Sequence, residues 1–202
     1  MSITIEHEKR CKEILIKALD VFIEQGFENT TFQKIADRCA VTRTSLYIYF
    51  KNKKEIFNYS IKQLLNGLEA DIQKLNENAG QSCAERLISI FDCIIDNIMK
   101  DQRLLSAIFD YLQSLVRNNG DSEKSEKYVR RRTIRLRHIL SSVVIEGKKK
   151  GEFRLILIKD VNEVFYGLLE AAIFRITILH AQAGEDIKRA ASVLIRQMAN
   201  CH

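Results

Sequence analysis

No proline occurs anywhere in the 202 residues of this chain. Proline locks φ and removes a backbone donor, so its absence leaves no residue that forces a helix to stop. Punctuation falls instead to glycine. Gly26, Gly80, Gly120, Gly151 and Gly184 each follow a stretch of helical periodicity, where a left-handed terminal residue is expected. Gly67 and Gly167 lie inside such stretches and mark candidate close approaches between helices. With 46% apolar and 29% charged residues, the chain has enough apolar material for a sizeable core. The expected fold class is all-α.

The most informative stretch is residues 30–57. A first short helix begins at Thr30 or Thr31, either of which can cap free N–H groups with its hydroxyl. Thr30 also has Gln33 three residues on, the spacing of a capping box. The apolar positions of this helix are Phe32, Ile35, Ala36 and Cys39. A second helix begins at Thr42 and carries Leu46 and Phe50 four residues apart. Only Cys39-Ala40-Val41 remain between them, so the two must cross steeply, with Ile35, Ala36, Val41 and Leu46 packed together. That is a helix-turn-helix, whose second helix enters the major groove of DNA. Arg43, Thr44, Ser45, Tyr47 and Tyr49 fall outside its small core and offer groups that bond phosphates and base edges. From Lys34 to Lys54 six basic residues face Asp37 alone. A plain solvated pair of amphipathic helices would look much the same.

The stretch Phe22–Phe57 resembles the tetracycline-repressor (TetR) family of bacterial transcription regulators. The resemblance is carried by Phe22, Gly26-Phe27, Thr30-Thr31, Ile35-Ala36, Val41-Thr42, Leu46-Tyr47, Tyr49-Phe50, Lys53, Glu55, Ile56 and Phe57. It covers about the first quarter of the chain; the rest matches only in length and helical character. Ala40 stands where the family usually has glycine in the turn, and Thr44 where glycine is common in the recognition helix. Alanine disfavours a left-handed backbone, should the turn need one. The resemblance implies a helix-turn-helix domain over 1–51 and a helical effector-binding and dimerisation domain over 52–202. It further implies that Lys53 grips phosphate, and that a small-molecule effector binds among the helices of residues 55–180. Phe91, Phe109, Tyr111, Tyr128, Phe165 and Tyr166 are candidate wall residues, each with ordinary core as the competing reading.

In chain order, residues 5–25 read as an amphipathic helix with Ile14, Leu15, Ala18, Val21 and Phe22 on one face, ended by Gly26. Asn52 and Glu55 open a helix running to about Asn76, a lever that starts at the DNA and ends in the larger domain. Ser82 and Glu85 form a capping box for a helix to about Lys100, and Asp101 opens the next. A long helix spans Lys124 to Lys150; residues 155–158 read as a connector or a short strand. Asp160 caps a helix to about Ala183 that is apolar on nearly every side, and a last helix covers 185–200. So little polar face demands cover from both sides, so a two-fold homodimer through about 160–200 is expected.

Two recognition helices would then meet a palindromic double-stranded DNA operator one helical turn, about 34–36 Å, apart. Thr31, Tyr47, Tyr49 and Lys53 would set position on phosphates, Thr42 would cap the reading helix and contact DNA with it, and Arg43, Thr44 and Ser45 would face base edges. Between 124 and 154, eleven Lys and Arg face three Glu. That excess suits an anionic effector such as a fatty acid or acyl thioester, or is simply solvated surface. The five cysteines form no CxxC, and the four histidines form no ligand spacing. No disulfide, metal, cofactor or catalytic residue is expected. The charged N-terminus is no signal peptide and no apolar run approaches a membrane span, so a cytoplasmic protein is expected. A ligand-independent DNA organiser or cell-division factor on the same fold is the alternative, and a helical-bundle enzyme the third.

Overall fold

The computed structural model describes residues 2–77, 80–100, 102–119, 122–154, 157–179 and 181–199, with backbone alone at 2–5, 118–119, 122–126, 128–130 and 132. The described residues form nine α-helices: α1 (Ser2–Asn29), α2 (Phe32–Cys39), α3 (Arg43–Tyr49), α4 (Lys53–Asn76), α5 (Cys83–Lys100), α6 (Gln102–Asn119), α7 (Ser122–Lys149), α8 (Ile158–Thr177) and α9 (Gly184–Met198). An antiparallel bridge between Phe153 and Ala199 is the one β-type pairing among them. The chain is all-α, with an N-terminal helix-turn-helix and a larger helical region after it. It divides into two compact units: Met1–Asn66 with Arg103–Lys127, and Gly67–Gln102 with Tyr128–His202.

In the first unit, α1 buries Ile14, Ala18, Val21 and Phe22, the face expected from periodicity. Gly26 breaks it as expected, at φ 76° and ψ 166°, but helix resumes for three residues to Asn29. The cap of α2 is Thr31, whose Oγ1 accepts from the Lys34 N–H at 3.3 Å. The Thr30–Gln33 capping box does not form. Thr30 is buried and its hydroxyl donates to the Gly26 carbonyl at 2.7 Å, while Gln33 donates to Asp37. The break at Gly26 frees that carbonyl, which outcompetes the more distant N–H.

Ala40 ends α2 in the left-handed region, φ 53° and ψ 45°, and its N–H reaches the Ala36 and Asp37 carbonyls. An L-residue there costs about 1–2 kcal/mol, partly offset by glycine's greater freedom when unfolded. Ala40→Gly is therefore expected to raise unfolding free energy by about 1 kcal/mol, read as a higher urea midpoint at unchanged slope.

The core of this unit is aromatic. Phe22, Phe27, Phe57 and Tyr111 are all buried, with Phe27 and Tyr111 centroids 4.6 Å apart and Phe57 and Tyr111 4.8 Å apart. Tyr111 comes from α6, so that helix packs directly on α1 and the start of α4. Asn52 caps α4 by accepting from the Glu55 N–H, and Glu55 returns the favour to the Lys51 N–H.

In the second unit, the Ser82–Glu85 capping box closes in both directions, at 2.8 and 3.2 Å. Helix α8 starts at Ile158 behind Leu157, with no side-chain cap; Asp160 lies in its first turn, and the helix stops at Thr177 rather than near Ala183. Gly184 opens α9 instead of closing α8, and a Cβ there would meet the Met99 sulfur at 1.9 Å. Gly147 is the other tight glycine, its absent Cβ 2.3 Å from the Phe153 ring. Gly67 and Gly167, expected to mark close packing, face open space. Gly151 adopts the expected positive φ of 74°. Asp101, Gly120 and residues 155–156 lie outside the described residues.

Candidate nucleic-acid interface

Thr42 caps α3 as expected: its Oγ1 accepts from the Ser45 N–H at 3.0 Å and lies 2.8 Å from the Ser45 hydroxyl. Leu46 is fully buried and Phe50 nearly so, which rotates the rest of the helix outward. Arg43 and Thr44 are exposed, and Ser45 partly so. Arg43 donates to the Tyr47 hydroxyl at 3.3 Å, and its guanidinium lies 5.8 Å from that ring's centroid. Tyr47 is half exposed and stacks on Phe32 at 4.5 Å, so its ring is anchored while its hydroxyl reaches solvent. Thr31 stands exposed at the start of α2.

The other two expected phosphate groups also have partners. Tyr49 stacks on His7 of α1 at 4.8 Å. The Lys53 ammonium donates to the Phe27 and Glu28 carbonyls, both at 2.9 Å, and sits 4.7 Å from the Phe27 ring centroid. Two of its three N–H donors thus close the end of α1, leaving one for an outside acceptor.

Sequence reasoning missed Asp110. One carboxylate oxygen accepts from the Phe27 and Glu28 N–H groups at 2.7 and 3.3 Å, both freed by the break at Gly26. A Cβ on Gly26 would stand 2.9 Å from that oxygen, so glycine is required for contact as well as for φ. Nothing near Asp110 in the sequence announces a partner 83 residues away.

The expected effector-wall residues are divided between the two units. Phe91 and Phe165 are buried against each other at 5.9 Å in the second unit. Tyr111 belongs to the aromatic core of the first. Tyr166 is buried under the Arg137 guanidinium, 3.7 Å from its centroid, and burial pushes its hydroxyl up to about 12. Phe109 lines an open groove of about 460 Å³ on α6, with Leu112, Gln113, Val116 and Arg117. The Tyr128 side chain lies outside the described residues. Of the basic excess, Arg135 pairs with Glu69 and Lys150 with Glu146, while Arg131, Lys149 and Arg154 are exposed.

The profile of the "Bacterial regulatory proteins, tetR family" matches residues 14–59, from the middle of α1 to the start of α4. The HTH-type transcriptional regulator YfiR of Bacillus subtilis is 30% identical over 155 residues, 75% of this chain and 72% of YfiR. The chain belongs to the TetR family. Its members are transcription regulators and not enzymes. A second relative is IcaR of Staphylococcus aureus, the negative transcriptional regulator of the biofilm operon icaADBC. It is 31% identical over 85 residues, 42% of this chain and 45% of IcaR. Among solved structures, the transcriptional regulator FadR of Bacillus subtilis in complex with stearoyl-CoA superposes with a TM-score of 0.74. It is 17% identical, covering 95% of this chain and 99% of FadR, and shares the TetR fold. Among the described residues no helix is long and apolar enough to cross a membrane.

Proposed function

We propose that this TetR-family regulator is a repressor that binds a palindromic operator as a two-fold homodimer and leaves it when a small molecule binds. The observation that carries the reading is the outer face of α8. Val164, Gly167, Ala171, Phe174 and Ile178 follow one another at spacings of three and four residues and all are exposed, Phe174 at 51%. Val193 on α9 is likewise exposed, at 50%. An exposed glycine inside a helix costs about 1 kcal/mol against alanine, so Gly167 needs a purpose. Close approach of the same helix from a second copy supplies one.

For the reading head, Arg43, Thr44 and Ser45 face the bases and Thr31, Tyr47, Tyr49 and the spare donor of Lys53 face phosphates. Arg43→Ala is expected to cost about 1–3 kcal/mol on the cognate site and relax discrimination at one base pair. Fluorescence-anisotropy titrations against cognate and scrambled duplexes measure both. An unchanged ratio between the two duplexes removes Arg43 from base reading.

Repression is supported by IcaR, and a ligand with a long acyl chain by FadR. The α6 groove offers such a chain an open, largely apolar surface bordered by Arg117. The same helix carries Asp110, ion-paired with the groove residue Arg117 at 3.9 Å, and Tyr111, which hold α1 and α4. An occupant with different affinity for two positions of α6 would shift the head with it. The test is an operator selected from random duplexes, titrated with stearoyl-CoA and free fatty acids, alongside native mass spectrometry of the purified protein. Release of the duplex by one of these supports the reading. If binding is indifferent to all and no small molecule co-purifies, the ligand-independent organiser takes its place.

A further inference from the structure

Ile48 is the most exposed large apolar side chain among the described residues, 73% accessible, and it stands in α3. The core does not want it, because Leu46 and Phe50 already fill the inner face. At about 100° per residue, Thr44 and Ile48 each lie about 20° from the line opposite Leu46, one on either side. They form the ridge of the helix. Arg43 and Tyr47 run along one flank, Ser45 and Tyr49 along the other.

The flanks and the ridge differ in chemistry. Both flanks carry hydrogen-bonding groups. The ridge ends in methyl groups, one from Thr44 and the branched hydrocarbon of Ile48. Single exposed apolar residues are ordinary on protein surfaces. This one occupies the centre of the face that a helix-turn-helix sets against the floor of the major groove. On that floor the one apolar group that base pairs present is the 5-methyl of thymine.

We propose that Ile48 is a specificity-determining residue, packing on the 5-methyl group of a thymine in each half of the operator with the Thr44 methyl beside it. The inference rests on α3 being the helix that reads the groove. Arginine or a hydroxyl reads hydrogen-bonding edges; Ile48 would read the single feature that separates thymine from uracil, whose edges are otherwise the same.

The experiment uses the full chain and two random duplex pools, one synthesised with thymine and the other with uracil. From the thymine pool the protein is expected to enrich a motif with a fixed thymine that the uracil pool leaves unspecified. In the selected duplex, replacing that thymine by deoxyuridine is expected to weaken binding about fourfold for each methyl lost. Ile48→Ala is expected to bind both duplexes equally while keeping the salt dependence set by phosphate contacts. At so exposed a position the variant keeps its fold, and the uracil arm needs no variant at all. If deoxyuridine is tolerated at every thymine, or if Ile48→Ala retains the penalty, the assignment of Ile48 is overturned while groove reading by α3 stands. Enrichment of no motif from either pool overturns both.

Discussion

Arg86→Ala is expected to lower the unfolding free energy by about 3 kcal/mol, the lower end for breaking a buried ion pair. Arg86 is only 6% exposed although it sits on the apolar helix α5. One terminal nitrogen donates to the Asn76 carbonyl at 2.8 Å. The other reaches the Glu146 carboxylate at 2.7 Å and the Cys83 sulfur at 3.1 Å. Truncation removes all of these at once and leaves the Asn76 carbonyl beside a void. Glu146 is 38% exposed and can rehydrate, which is why the lower end applies. Arg86→Met fills most of the space and is expected to cost less, since an apolar residue of similar volume needs no partner.

The same pair gives a pH signature. Arg86 first, and Lys150 second, hold the Glu146 carboxyl down from its ordinary 4.5 to about 2. A carboxyl depressed in the folded state stabilises the protein above its unfolded value and loses that contribution as pH falls through its folded one. The stabilisation is therefore present above pH 4.5 and lost progressively toward pH 2. Given the exposure of Glu146, solvent screening reduces it to about 1 kcal/mol. Urea melts of both proteins at several pH values measure it: the wild type should lose more stability on acidification than Arg86→Ala. Equal acid limbs would show that the pair contributes no linkage.

Phe174→Glu is expected to give a monomer whose affinity for the operator falls by two orders of magnitude or more. Phe174 lies mid-stripe on α8 and is already half exposed, so the protomer should fold as before. In the proposed dimer the new carboxylate would be buried against a second copy without a partner, which association cannot repay. Separating the protomers removes the gain of tethering two heads, typically 10²–10⁴. Sedimentation velocity reads the mass and anisotropy titration reads the affinity; Phe174→Leu should keep both. A dimer that survives Phe174→Glu would place the interface elsewhere.

The features legible in the sequence share one property: each is a relation between residues at most about four apart. The Thr42 cap, the Asn52 and Ser82 boxes, the Leu46–Phe50 spacing and the buried stripe of α1 are of this kind. Not every expected relation on that scale formed. Thr30 turned to a carbonyl that the Gly26 break had freed, and α8 began three residues early, with Leu157 rather than Asp160 at the N-cap position. Gly184 lies against Met99 and opens α9 instead of ending α8.

By itself, then, the sequence determined an all-helical chain, the helix-turn-helix and the family, because periodicity and capping are settled within a turn or two of backbone. Tertiary structure alone decided that Asp110 holds the turn at Gly26, that Tyr111 completes the core of the head, and that Arg86 is buried. It also decided that Phe91 packs on Phe165 and that Tyr166 lies under Arg137. Those outcomes depend on which side chains meet after tens of residues have been folded back, and neither spacing nor residue type encodes that meeting.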